Sequence, residues 1–338
     1  MNRSINNAVK PGSSNVICTP RTPRMQQRQR FDLSTRPEEN EELDISGLHD
    51  LTGQTWNVYA VSALFGFQKD DVHLKLYSKR LREEIASNLT RENVTYDAKI
   101  SLEANCVYKP NHENHPAIKI EVLATTNDHE RDTEKFIYKG FLLSWSATQS
   151  EINIQNVVRL PLLLCCGTRS CIDAVHTIFS QMFDCSIIAL PATEEDLKWL
   201  VPIIIMSTNR DEEPAVSGEL QMEYTVPELP VTSTITVKFD ISDLRNILSA
   251  IIKTQEDVVN ILSIDREHVE MFHEILHTQM RELGSLQLGL CTLQRINLPG
   301  LSIMNNKMKV MNAETMDRIL IYYNEKAYDT FHILHIDM

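Results

Sequence analysis

The chain has 338 residues, is 42% hydrophobic and 23% charged, and carries a formal net charge of −13, a composition that suits a globular body with a sizeable core. Its most apolar runs, Leu160–Cys166 and Leu200–Met206, are about seven residues each, far short of the ~20 a membrane-spanning helix requires, so no membrane anchor is expected. Seven cysteines (Cys18, Cys106, Cys165, Cys166, Cys171, Cys185, Cys291) form no C-x-x-C pair, which predicts reduced thiols rather than a disulfide framework.

Charge is unevenly spread. Residues 1–36 hold seven basic side chains against Asp32 alone, a net +6, which leaves −19 for the remainder. A body that acidic repels bare nucleic acid; the tail is the segment suited to phosphate or acidic partners. The opening residues, Met1 to Asn7, are polar and no apolar run follows, so the chain is expected to be intracellular.

Up to Gly53 the composition is rich in Ser, Asn, Pro, Gln, Arg and Glu, which predicts a disordered tail over 1–53, basic and then acidic. Within it, Thr19-Pro20-Arg21-Thr22-Pro23-Arg24 offers Thr19 and Thr22 as proline-directed phosphorylation candidates among the basic residues Arg21, Arg24, Arg28 and Arg30. A body over 54–338 follows. Leu74, Tyr77, Leu81 and Ile85 are spaced for one helical face. Val94, Tyr96, Ala98, Ile100, Leu102, Ala104 and Cys106 alternate as a half-buried strand does, and Ile118, Ile120, Val122 and Ala124 repeat the pattern.

A helix is predicted through Ile172, Val175, Phe179 and Met182, and Thr193-Glu194-Glu195-Asp196 ahead of Leu197 has the form of a capping box. Leu220, Met222, Tyr224 and Val226 alternate, as do Ile235, Val237, Phe239 and Ile241; the short Pro227–Pro230 link makes them arms of a hairpin-like pair. Helices are expected at Leu244–Ile251, Val269–Leu283 and Met316–Ala327, and further strands at Leu286, Leu288, Leu290 and at Met308, Val310. So many half-polar strands mixed with helices predict an α+β fold, with a largely antiparallel mixed sheet packed against several helices behind the tail. A division into two lobes near 210–218 is left open.

One motif carries chemistry in other settings. His273-Glu274-Ile275-Leu276-His277 is a literal H-E-x-x-H on a predicted helix, the spacing that places two imidazoles on one face with a glutamate to activate zinc-bound water. No His-x-x-Gly-x-x-His continuation follows, and Glu314 could serve as a third ligand only across a long insertion. The bland reading, an amphipathic helix with histidines at the edge of its apolar stripe, outweighs a zinc site at His273 and His277 with Glu274 as base. Cys165, Cys166 and Cys171 read as core cysteines continuing an apolar run. No G-x-S-x-G, phosphate loop or dinucleotide fingerprint occurs; no cofactor and no catalysis are expected.

Several segments, taken in order, resemble the centromere protein L family. They are Thr55-Trp56-Asn57-Val58-Tyr59 with Phe65-Gly66-Phe67 and the helix from Lys69, then Gly140-Phe141-Leu142-Leu143-Ser144-Trp145, and Leu160-Pro161-Leu162-Leu163-Leu164. Ile178-Phe179-Ser180-Gln181-Met182-Phe183-Asp184-Cys185 and Leu197-Lys198-Trp199-Leu200 complete them, behind the Thr-Pro-Arg tail. The resemblance implies a non-enzymatic subunit of the inner kinetochore in the nucleus, paired with centromere protein N and touching centromere protein C and neighbouring subunits. It also implies that contact with the centromeric nucleosome and its DNA runs mostly through partners, and that the chain helps anchor kinetochores to chromatin for chromosome segregation. The pairing surface is expected at a sheet edge formed by Leu286, Leu288 and Leu290 or by Met308 and Val310, through main-chain hydrogen bonds. A zinc hydrolase and a free-standing DNA-binding protein are the alternatives.

Overall fold

The structure, a computed structural model, describes residues 30–32, 45–90, 93–103, 106, 116–128, 131–145, 157–206, 218–230, 232–255 and 263–333. In chain order it forms β1 (Arg30–Asp32), a 3-10 turn (Ile45–Leu51), β2 (Thr55–Val61), β3 (Leu64–Phe65), α1 (Asp71–Asn88), β4 (Val94–Glu103), β5 (Ala117–Asp128) and β6 (Arg131–Leu143). Next come β7 (Val157–Val158), β8 (Leu162–Gly167), α2 (Arg169–Phe183), β9 (Ile187–Ala189), α3 (Glu194–Ile205), β10 (Glu219–Thr225), β11 (Thr234–Asp240) and α4 (Ile241–Gln255). The chain closes with β12 (Ser263–Asp265), α5 (Arg266–Gly284), a 3-10 turn (Leu288–Leu290), β13 (Thr292–Leu298), β14 (Leu301–Met304), β15 (Lys307–Val310) and α6 (Ala313–Ile333). Among the described residues, six helices and fifteen strands, mostly in antiparallel pairs, make the α+β fold that the alternation predicts.

One eleven-stranded sheet runs β11-β10-β13-β14-β15-β2-β8-β6-β5-β4, with β9 also on β2. Because successive strand residues point to opposite faces, each strand at the centre of this sheet divides its side chains between two cores. Leu162 and Leu164 of β8 enter one core while Leu163 and Cys165 enter the other. Trp56, Val58 and Ala60 of β2 join the first, and Val61 the second. The helices are shared out in the same way: α1 and α2 cover one face over β4, β5 and β6, whereas α3 to α6 pack on the opposite face over β10, β13, β14 and β15. Strands on either side of the suspected lobe boundary therefore belong to one sheet; the boundary itself, near 210–218, lies outside the described residues except for Gly218.

Helix α3 sits in the middle of the larger core. Trp199 to Ile205 are all buried, the all-round burial expected of a helix without a solvent face. Its capping box forms as predicted: the Thr193 N–H donates to the Asp196 carboxylate at 2.6 Å, and the Asp196 N–H reaches the Thr193 hydroxyl at 3.3 Å. A buried helix end leaves carbonyls without donors, and here arginines supply them. Arg318 of α6 donates to the carbonyls of Ile203, Ile204 and Met206, and Arg245 of α4 to that of Ile205 at 2.8 Å. Both cations lie at the negative end of the helix dipole.

Two expectations need correction. The tail does not stay apart throughout 1–53: Phe31 is buried in the larger core with Leu48 and Leu51, and the Trp56 indole donates to the Leu51 carbonyl at 2.6 Å. Isolated apolar residues in polar sequence suffice to anchor a segment when the body offers sockets for them. Second, Leu286, Leu288 and Leu290 are not a strand. Leu288–Leu290 form a 3-10 turn with Leu288 buried and Leu290 exposed, and β13 starts only at Thr292.

Candidate functional site

The H-E-x-x-H segment and the 286–290 turn that follows it line one groove of about 640 Å3. Its walls are the first turns of α3 (Glu195, Lys198), the length of α5 from Arg266 to Arg281, and the turn itself. Glu194 binds Lys198 at 2.7 Å, and Arg266 binds Glu270 at 2.6 Å and Glu195 at 3.7 Å, so most of the wall's charge is internally compensated.

His273 is buried rather than at the edge of the apolar stripe, and its Nε2–H donates to the Lys198 carbonyl oxygen at 3.0 Å. The reason is legible in α3. A helical carbonyl is normally served by the N–H four residues on, and four residues beyond Lys198 stands Pro202, which has no N–H. The imidazole supplies the missing donor. Burial pushes the His273 pKa down to about 3, so the ring stays neutral. His277 is half-buried beside the Tyr224 hydroxyl at 3.5 Å, and the two imidazole centroids are 6.4 Å apart. Glu314 is taken by Arg318 at 2.6 Å, and the described residues contain no group of three or more His, Cys, Asp or Glu arranged to hold a metal. In this fold His273 of the motif serves helix-to-helix packing, and sequence spacing alone could not reveal its partner, because His273 and the Lys198 carbonyl that Pro202 leaves free meet only in the folded chain.

Cys165 and Cys171 are fully buried, and desolvation pushes both thiols up to about 12. Cys165 lies 3.8 Å from the His176 Nε2, but burial holds that imidazole down to about 4. Neither a thiolate nor a charged imidazole is favoured, which is the opposite of a nucleophilic pair.

The residues expected to pair with a partner do not share an edge. Met308 and Val310 are buried on β15, which is hydrogen-bonded to β14 on one side and β2 on the other. Leu286, Leu288 and Leu290 border the groove instead. The true edges of the sheet are β4 and β11, and they differ. Helix α1 lies against β4, whose Ile100 N–H donates to the Ser78 hydroxyl at 2.8 Å. Strand β11 pairs only with β10 among the described residues. Thr19, Thr22, Arg21, Arg24 and Arg28 lie outside the described residues; Arg30 is placed, on β1.

Comparison with known proteins bears on this arrangement. The family model for centromere protein L matches residues 50–329, from the first 3-10 turn almost to the end of α6. The chain belongs to the centromere protein L family. A curated relative, centromere protein L of Xenopus tropicalis, is 22% identical over 288 residues, which cover 82% of this chain and 79% of that protein. Membership of the centromere protein L family makes this a centromere protein. The match takes in the groove and most of both cores, and leaves out β1 and the core residues Phe31, Leu48 and Phe331.

Proposed function

We propose that the chain is a non-catalytic scaffold subunit that pairs with centromere protein N and helps anchor the kinetochore to centromeric chromatin, with contacts to centromere protein C and neighbouring subunits. DNA contact falls mainly to the partner, since the chain beyond residue 36 carries −19. The observation that supports the reading is the asymmetry of the sheet: α1 lies against the β4 edge and takes its Ile100 N–H, whereas β11 pairs only with β10 among the described residues. An open edge strand is a template for another chain. It replaces the edges expected at Leu286–Leu290 and at Met308 and Val310.

The test is co-expression with centromere protein N and size-exclusion chromatography with light scattering. In an antiparallel pair neighbouring residues alternate between facing the partner strand and facing away, so Thr236→Pro and Val237→Pro are made separately. One removes a bond to β10 and damages the fold, and the other removes an outward donor. Loss of the one-to-one complex in the variant that still folds is the expected result; a folded variant that pairs normally rules out β11 as the edge. Metal assayed on the same fractions is expected to be substoichiometric.

A further inference from the structure

Strand β12 belongs to no large sheet. Its strand partner among the described residues is β1, through Arg30↔Asp265, Phe31↔Ile264 and Asp32↔Ser263. More than 230 residues separate the two in sequence, as the Arg30–Ser263 hydrogen bond records. The contacts are those of a receptor and a peptide. Main-chain pairing fixes the direction, and the Phe31 ring occupies an apolar socket formed with Ile264 and Tyr322, whose ring centroid is 6.1 Å away. Arg30 is read by two groups: its guanidinium donates to the buried Ser263 hydroxyl at 2.7 Å and lies 3.5 Å from the Asp265 carboxylate. Side-chain pockets flanking a main-chain ladder are how proteins recognise extended segments.

We propose that β12, with Ser263, Asp265 and the Tyr322 socket, is a peptide-recognition site for an extended segment carrying arginine followed by an aromatic residue, and that Arg30-Phe31 is its resident ligand, exchangeable for the same motif on a partner protein. The occupant's chemistry is set by the structure itself, since the site is filled by this chain's own copy. Exchange is favoured by the shortness of the ladder, which spans three residue pairs among the described residues, and by an ion pair whose side chains are about half exposed. Short terminal strands of this kind sit at the low-stability end of a fold. The site lies outside the sheet edge proposed for centromere protein N, so the two ideas stand or fall separately.

The experiment uses the full chain carrying Arg30→Ala and Phe31→Ala, and a fluorescent peptide of residues 28–35 followed by anisotropy. The double variant is expected to bind the peptide at least tenfold more tightly than the native chain, and a peptide with Phe31→Ala is expected not to bind. A cooperatively folded double variant that ignores the native peptide overturns the proposal. Hydrogen exchange on the native chain provides the second reading, which decides alone if the variant does not fold. Amides of Phe31 and Ile264 should exchange faster than those of β5 and β6; exchange at the same slow rate as the main sheet overturns exchangeability.

Discussion

The imidazole of His273 and the carbonyl of Lys198 are joined by a 3.0 Å hydrogen bond that exists because Pro202 cannot make the helical bond in its place. This ties α5 to the buried α3 and gives the H-E-x-x-H segment a structural task. Replacing His273 with Leu leaves a buried carbonyl unsatisfied and imperfectly fills its space, so a loss of about 2–4 kcal/mol is expected by urea denaturation. The decisive test is the pairing with Pro202→Ala, which restores an N–H to Lys198. In that background His273→Leu should cost about 1 kcal/mol less. Strict additivity of the two substitutions would show that the proline is not why the histidine is there.

Acid should weaken the fold through the same imidazole and through His176 and His277, which burial also lowers. Burial lowers His273 to about 3 and His176 to about 4, from an ordinary value of 6.5. Below pH 6.5 the unfolded chain takes up protons that these buried rings refuse, so the folded state loses ground as pH falls and the loss continues toward the folded values. Each group contributes up to about 1.4 kcal/mol per pH unit in that interval. Urea midpoints between pH 7 and pH 5 should fall with decreasing pH, and His176→Phe should flatten the slope by removing one of these protons. An unchanged slope in that variant would mean that His176 is protonated in the folded chain.

Strand alternation was the legible part of the sequence. The regular sites of β4, β5, β10 and β11 coincide with the alternating residues, because strands half covered by helices keep one apolar face. The same rule misled at Leu286, Leu288 and Leu290, where three alternating leucines bracket Gly289 in a turn and only Leu288 is buried. Periodicity over five residues cannot separate a strand from a short turn. Features that rest on one residue meeting another across the fold left no pattern: Phe31 in its socket, His273 on the carbonyl freed by Pro202, and Ser78 closing the edge at Ile100. The site is assembled from such meetings, which is why its residues were readable singly while their purpose was not.

Thiol labelling gives an independent view of the core. Cys106, Cys165 and Cys171 are pushed to about 12 and Cys185 to about 11, in each case chiefly by burial. With Cys18→Ser removing the tail thiol, a disulfide reagent at pH 8 should modify at most Cys166 and Cys291, the two partly accessible cysteines of the body. The other four should react only on unfolding. Rapid labelling of Cys165 would contradict the packing of β8 between the two cores.

Gly167 closes β8 against the bulge of β6. A methyl group there would stand 2.3 Å from the Ile137 carbonyl oxygen, a backbone atom that also accepts the Thr168 N–H at 3.0 Å and so cannot swing aside without losing that bond. Gly167→Ala is expected to cost about 2–4 kcal/mol.

The buried ion pair at the start of α3 offers the largest effect. Lys326 of α6 lies 2.5 Å from Asp196, and both side chains are under 10% exposed. Asp196 also accepts from the Thr193 N–H at 2.6 Å and the Tyr322 hydroxyl at 2.8 Å. Lys326→Met removes the counter-charge and leaves the carboxylate buried among dipoles alone, so about 3–5 kcal/mol should be lost in urea denaturation. Adding Asp196→Asn removes the stranded charge while the amide oxygen can still accept from the Thr193 N–H, and the amide NH2 takes the place beside the Tyr322 hydroxyl, which can turn to accept from it. The double variant should therefore be more stable than Lys326→Met by itself, even though each substitution alone destabilises. If the second substitution instead deepens the loss, the lysine contributes by packing its methylenes and by its bond to the Pro191 carbonyl, and the charge of Asp196 is not what it answers.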